Sequence, residues 1–117
     1  MITVVNVKGL RTAEQRSAVC YCGRGFAGWP ASPLGNPFKG SDAVNKFAGW
    51  LLFHPKRNEL LAAVWEACGR GKLPLGCWCV GTLDRPWVVN RDEELVCHAQ
   101  VIAVQLADLV ASGELPS

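Results

Sequence analysis

The chain has 117 residues, half of them apolar and 19% charged, which is typical of one compact globular domain and excludes a disordered chain. Its formal charge of +2 is spread over scattered lysines and arginines, so we expect no binding to duplex DNA. Its apolar stretches are too short to cross a membrane and its first residues do not resemble an export signal, so we expect a cytoplasmic protein with reduced cysteines.

Two β-strands and a long loop are predicted in the first third of the chain. Residues 2–7 (ITVVNV) are a nearly continuous run of apolar and β-branched side chains, which is typical of a buried strand. Residues 18–22 (AVCYC) predict a second strand, and the polar residues between the two predict a loop or a short turn of helix. Residues 23–40 contain five glycines and three prolines, which predict a long loop that its aromatic side chains hold against the body.

Three helices and one more strand are predicted in the remainder. The first helix follows a candidate N-cap at Ser41 and the second follows one at Asn58, and both repeat apolar residues at helical spacing. A strand over residues 73–80 (LPLGCWCV) and a mostly polar segment, 83–95, precede a last helix that begins near Cys97 and ends at Gly113. This order predicts a single α/β domain over residues 1–117, with a small central sheet of about three or more strands flanked by three helices and a long Gly/Pro-rich loop.

A candidate metal site combines the last predicted strand with the start of the last helix. Cys77 and Cys79 would face the same way in a strand, with Trp78 on the opposite face. Cys97 and His98 follow at the first turn of the helix, where backbone amides favour a thiolate. Three thiolates and one imidazole are the ligands of a closed tetrahedral zinc site, and such soft ligands favour zinc or an iron–sulfur cluster over magnesium or calcium. Zinc is therefore the expected cofactor if Cys77, Cys79, Cys97 and His98 meet.

The sequence leaves two other interpretations of this cluster open. Small cysteines can fill a tight contact between a strand and a helix, or a thiolate can act without a metal. Neighbours on a helix diverge by about 100°, so Cys97 and His98 can both bind one metal only if one of them precedes the helix. Cys20 and Cys22 could add a ligand, form a disulfide or serve as buried apolar filler.

A candidate ligand site involves the long loop. Arg24 follows a predicted strand between two glycines, where a guanidinium can bind a phosphate or carboxylate; a surface ion pair with Asp42 or another acid is the alternative. The amide of Asn36, held extended by the following proline, can bind a ligand or brace the loop. Phe38 and Trp29 can stack on a planar base or anchor the loop to the core.

With GR, SPLGNPF, LGCWC and CH in this order, the chain resembles a family of small bacterial and phage proteins classed as a domain of unknown function. The resemblance covers nearly the whole chain and implies these signature positions: Arg24, Asn36, Pro37, Phe38, Cys77, Cys79, Cys97 and His98. The chain departs from the family pattern in two places. Residues 80–96 separate the CWC motif from CH, and Gln100 stands where relatives have an acid, which would remove a candidate base or hydrogen-bond acceptor.

Three functions fit these features. The expected one is a binding module in which Arg24, Asn36, Phe38 and His98 hold a small anionic, nucleotide-derived molecule, as in phage-type sequestration of a host nucleotide signal. The second is an enzyme that uses a metal or an activated thiolate on a nucleotide or nucleobase, although the H-x-E or C-x-E pattern of zinc deaminases is missing. The third is a protein-interaction domain in which exposed tryptophans, Trp87 above all, support a homo-oligomer or contact with another protein.

Overall fold

The computed structural model describes residues 2–24, 29, 31–40 and 42–117. In this part of the chain, four strands form one mixed sheet in the order β2–β3–β1–β4. The strands are β1 (Thr3–Asn6), β2 (Cys20–Tyr21), β3 (Leu75–Cys77) and β4 (Trp87–Val88). The helices are α1 (Ala13–Ser17), α2 (Ala43–Leu52), α3 (Arg57–Ala67) and α4 (His98–Ala111). The predicted mixed α/β architecture is confirmed, with one short helix, α1, in addition to the three predicted ones.

Three neighbouring strands of the sheet are parallel. β3 lies between β1 and β2 and runs parallel to both, with Val5 and Tyr21 each in register with Gly76. The carboxyl ends of these strands therefore lie at one edge of the sheet, which is where α/β proteins commonly bind ligands. The segments that leave this edge carry Arg24 after β2 and Cys79 after β3.

The core lies between the sheet and the helices. The apolar stripe predicted for the first long helix is confirmed at Phe47 and Leu51, which are fully buried. α4 buries Ile102 and Leu106, which join the same apolar cluster as Leu75 of β3 and stabilise it by about 1.5–3 kcal/mol per side chain. This packing sets the start of α4 beside the carboxyl end of β3. None of the helices in the described ranges is long and apolar enough to cross a membrane.

One predicted strand end and one predicted helix start are wrong, and one strand was not predicted. The strand predicted for residues 73–80 ends at Cys77, where the chain bends. β4 lies within residues 83–95, the mostly polar segment in which no strand was predicted. It forms because Trp87 pairs with Val4 along the other edge of β1. α3 begins at Arg57, so Asn58 lies inside its first turn and does not cap it. Ser41, the other candidate N-cap, lies outside the described residues.

Candidate ligand cavity and metal centre

A cavity of about 720 Å³ opens at the carboxyl edge of the parallel strands. The structure places Arg24, Asn36, Phe38 and His98 in its wall, so the four residues predicted to bind a ligand surround one space. They come from the segment after β2, the long loop and the start of α4. Small-molecule sites in proteins have volumes of about 300–1,000 Å³, so this cavity is large enough for a ligand of nucleotide size.

Positive charge is concentrated at this cavity. Arg24 and Lys39 both line it and are both exposed to solvent. Arg24 forms no ion pair within the described ranges, and Asp42, its predicted alternative partner, accepts a hydrogen bond from Asn45 Nδ2 at 3.0 Å. The described part of the wall contains no aspartate or glutamate. Lys39 is a cation that sequence reasoning missed, although it directly follows the candidate residue Phe38.

Asn36 braces the long loop. Its Nδ2 donates to the carbonyl of Ala43 at 3.3 Å, and its Oδ1 accepts from the amide of Phe38 at 2.9 Å. Of the two sequence-based alternatives for this side chain, its contacts within the chain support bracing. Gly35 packs so closely on the Arg24 segment that a Cβ there would lie 3.0 Å from a backbone carbonyl oxygen of that segment. These contacts hold the loop against the segment that carries Arg24.

Two aromatic residues that sequence reasoning missed connect the two sides of the cavity. The indole Nε1 of Trp78 donates to the hydroxyl of Tyr21 at 2.9 Å, and that hydroxyl donates to the carbonyl of Arg24 at 2.6 Å. Trp78 was predicted to face away from Cys79, but this prediction is wrong: β3 ends before Trp78, and both residues line the cavity. Only their positions in the sequence could have indicated a role at the cavity. Tyr21 lies shortly before Arg24, and Trp78 lies between the candidate metal ligands Cys77 and Cys79.

The two other tryptophans with predicted roles have structural ones. Trp29 is buried, and its ring stacks on Tyr21 with the centroids 4.9 Å apart, so it anchors the loop. Trp87 is half-buried in β4, and its indole N–H donates to a carboxylate oxygen of Glu93, so the exposed patch expected there is not observed. Among the described residues the large apolar side chain with the highest exposed fraction is instead Phe53, at 83%.

His98 joins the cavity to the end of β2. Its Nε2 lies 2.7 Å from the carbonyl oxygen of Cys22, so this nitrogen carries a proton and donates it. The ring of Phe47 packs against the imidazole edge to face, with the centroids 5.3 Å apart. Burial lowers the pKa of His98, the bond to the Cys22 carbonyl opposes this shift, and the charge of Arg24 adds to it. The imidazole is therefore neutral at pH 7, with Nδ1 as an acceptor.

Three thiols converge beside this cavity. The sulfur atoms of Cys77, Cys79 and Cys97 lie within 4.8 Å of one another and could hold a metal ion. Tetrahedral zinc with Zn–S bonds of about 2.3 Å keeps its sulfurs about 3.8 Å apart, so a small adjustment would let all three bind one ion. Cys77 and Cys97 are buried, whereas Cys79 is exposed. No fourth histidine, cysteine or carboxylate from the described residues joins this group, so His98, predicted as the fourth ligand, does not belong to it.

One thiol of the cluster has a lowered pKa. The hydrogen bond from Cys97 lowers the pKa of Cys77 to about 6 against the opposing effect of burial, and the amides of Val80 and Cys79 add to the lowering. The same hydrogen bond, together with burial, raises the pKa of Cys97. These opposite shifts favour a thiolate on Cys77 and a proton on Cys97. A thiolate held in this way is a ligand for a soft metal and a nucleophile.

Gln100 holds Cys97 at the start of α4. This side chain is buried, and its Oε1 accepts the backbone N–H groups of Val96 at 2.8 Å and Cys97 at 3.0 Å. Cys97 is the N-cap, with an extended backbone, and His98 is the first residue of the helix. Gln100 is therefore a hydrogen-bond acceptor at this position, and a carboxylate could accept the same two N–H groups.

The other three cysteines lie outside this cluster, and all six are free thiols. Cys68 is core, as predicted from its helical spacing. Cys22 is fully buried and its Sγ donates to the carbonyl of Cys20 at 3.5 Å. A hydrogen bond with Cys22 lowers the pKa of Cys20, and the same contact raises that of Cys22 well above its ordinary value. Of the interpretations offered for this pair, apolar filler fits the burial of Cys22.

Comparison with known proteins agrees with the resemblance seen in the sequence. The model of a family described as Domain of unknown function (DUF4326) matches residues 5–108. No curated protein and no solved structure matches significantly. The matched range contains every residue that lines the cavity and all three clustered thiols. The chain belongs to the DUF4326 family.

Proposed function

We propose that the protein binds a small anionic, nucleotide-derived molecule in the cavity beside Arg24. The observation that carries the proposal is the positive charge of Arg24 and Lys39 at a cavity whose described wall contains no carboxylate. A guanidinium can hold a phosphate through two parallel, charge-assisted hydrogen bonds, which fix the position of the anion as well as attract it.

The remainder of the wall supports a ligand that also has a planar part. Phe38 and Trp78 both line the cavity, and their rings can pack on the face of a nucleobase. The neutral imidazole of His98 offers an acceptor for a ring N–H or an exocyclic amine. A charged group at one side and a planar heterocycle at the other are the two parts of a nucleotide.

A thermal-shift screen tests this proposal. The probes are nucleoside mono-, di- and triphosphates and inorganic phosphate, and a probe at 100 times its dissociation constant should stabilise the chain by about 2.7 kcal/mol. Arg24→Ala should remove most of the shift, whereas Arg85→Ala, at an exposed arginine that does not line the cavity, should leave it unchanged. The proposal is wrong if no probe stabilises the chain or if the two variants respond alike.

Binding without turnover is the form of this function that we favour, as in the phage-type sequestration of a nucleotide signal. Chromatography of the probe after incubation tests this choice. Recovery of the unchanged nucleotide in one equivalent per chain supports sequestration, and appearance of a product would replace it by an enzymatic function.

We also propose that Cys77, Cys79 and Cys97 bind zinc. Their convergence supports a metal with soft ligands, and zinc is the common divalent ion that accepts thiolates without redox chemistry. Metal analysis of the purified chain should find about one zinc per chain, and Cys77→Ser should abolish it. Cys68→Ser, at a buried cysteine outside the cluster, is the matched control and should retain the metal. Equal metal content in the two variants would contradict this assignment.

A further inference from the structure

We infer that zinc held by Cys77, Cys79 and Cys97 keeps its fourth coordination position open to the cavity, where an uncharged ring nitrogen of the ligand binds it. This inference rests on both proposed functions and joins them into one site. It also assigns an orientation to the nucleotide. The base lies at the thiols, and the phosphate lies at Arg24 and Lys39.

The supply of ligands supports an open site. Zinc sites with a purely structural role use four protein ligands, whereas sites that bind an exchangeable molecule use three. The described residues supply three thiols, and the seven residues outside the described ranges include no histidine, cysteine, aspartate or glutamate. His98, next to Cys97 in sequence, does not belong to the group of three sulfurs through either ring nitrogen, and its Nε2 bonds to the carbonyl of Cys22 at 2.7 Å.

The burial of the thiols gives the direction of the open position. Cys77 is 0% exposed and belongs to the apolar core, whereas Cys79 is exposed and lines the cavity together with Cys97. An ion bound to all three sulfurs would therefore lie between the apolar core, on the side of Cys77, and the cavity, on the side of Cys79 and Cys97. Trp78 lies between two of the ligands in sequence and is 39% exposed, so its ring can stack on a heterocycle that approaches the ion.

Charge decides which part of the ligand meets the metal. Three thiolates carry more negative charge than a divalent ion neutralises, so the loaded site is itself an anion. A phosphate is repelled from such a site and attracted to the exposed cations Arg24 and Lys39. An uncharged aromatic nitrogen is a good ligand for zinc and carries no such penalty. The two ends of the cavity therefore select opposite ends of a nucleotide.

Cobalt(II) in place of zinc gives the full chain a visible spectrum that reports its coordination. The chain is loaded with cobalt, the bound metal is counted, and the spectrum is recorded with imidazole, with a purine nucleoside and with inorganic phosphate. We expect imidazole and the nucleoside to change the spectrum with saturation, and phosphate at the same concentration to leave it unchanged. His98→Gln, whose amide can still donate to the Cys22 carbonyl, should show the wild-type spectrum before imidazole is added.

A second variant separates the two halves of the site. Arg24→Ala should weaken the effect of a nucleoside monophosphate about ten-fold, through loss of a charge-assisted contact, and change that of imidazole less than about two-fold. A full complement of cobalt with a spectrum indifferent to imidazole and to the nucleoside overturns the open position but leaves the metal site standing. A cobalt spectrum that shows one nitrogen ligand fewer in His98→Gln than in the unchanged chain would likewise overturn the open position, because His98 would then be the fourth ligand. Failure of the chain to bind cobalt overturns both the metal site and its open position. Nucleotide binding is still tested independently by the thermal-shift screen.

Discussion

The indole nitrogen of Trp78 donates a hydrogen bond of 2.9 Å to the hydroxyl of Tyr21, 57 positions earlier in the chain. The same hydroxyl donates to the backbone carbonyl of Arg24 at 2.6 Å. One phenol thus ties the segment after β3 to the segment after β2. One oxygen atom therefore contacts both the Trp78 indole and the backbone of Arg24, the residue whose guanidinium we assign to ligand binding.

Replacement of Tyr21 by phenylalanine should weaken both stability and ligand binding. The variant removes two hydrogen bonds, and we expect the free energy of unfolding to fall by about 1–2 kcal/mol. Urea denaturation followed by tryptophan fluorescence measures the stability, and titration with the best probe of the thermal-shift screen measures the affinity. Trp78→Phe is the control, because it removes one of these bonds but retains an aromatic face. Unchanged stability and affinity in Tyr21→Phe would refute a structural role for the phenol.

Gly35→Ala should disturb the cavity, whereas Gly49→Ala should stabilise the chain. A Cβ at Gly35 would lie 3.0 Å from the carbonyl oxygen of Gly23 and 3.2 Å from the amide of Arg24, so the backbone must shift. At Gly49, within α2, a Cβ meets no atom within 4 Å, and alanine favours a helix by up to about 1 kcal/mol. Thermal unfolding and probe titration of both variants check this. A Gly35→Ala variant with wild-type affinity would show that the close contact does not position Arg24.

The stability of the reduced, metal-free chain should rise as the pH is raised from 6 to 9. The Cys97 hydrogen bond lowers the pKa of Cys77 from its ordinary 9.0 to about 6 in the folded chain. This stabilisation is complete above the unfolded pKa and is lost as the pH falls through the folded pKa. The expected slope is on the order of 1 kcal/mol per pH unit.

Urea denaturation in steps between pH 7 and 9 measures this slope. The interval lies above the range in which His98 contributes, because its lowered pKa makes stability fall only as the pH drops below the ordinary value of 6.5. Cys97 has a raised pKa and opposes stability only as the pH passes its ordinary value of 9.0. Cys77→Ala should reduce the slope to the part that the lowered pKa of Cys20 contributes, and Cys68→Ala should retain the full slope. A slope in Cys77→Ala equal to that of the unchanged chain would place the thiolate elsewhere.

Gln100→Leu should cost much more stability than Gln100→Glu. Leucine leaves the N–H groups of Val96 and Cys97 without their acceptor, at a cost of about 1–3 kcal/mol for each group that stays buried. A carboxylate retains the acceptor and is favoured by the N-terminal end of α4. Chemical denaturation of the two variants measures the difference. Equal losses would mean that the shape of the side chain matters here and its oxygen does not.

The sequence predicted those elements whose signal is local. The stripe of α2 is confirmed at Phe47 and Leu51 because helical periodicity survives in any environment that buries one face. β4 was missed because a strand of two residues has no periodicity, and only pairing with β1 makes it a strand. The strand end at Cys77 was missed for a related reason. The bend at Trp78 depends on contacts with Asn6 and Tyr21, which lie far away in sequence.

Residue types and local patterns, read from the sequence alone, determined the α/β class, the buried faces of the helices and the set of polar and sulfur-bearing residues near the strand ends. Only the tertiary structure decided how those residues combine. Arg24, Asn36, Phe38 and His98 meet at one cavity because parallel strands end at a common edge. His98 is separated from the three thiols because its ring bonds to the carbonyl of Cys22, a contact between segments 76 positions apart. The directions of neighbouring side chains depend on such packing, which no spacing in the sequence encodes.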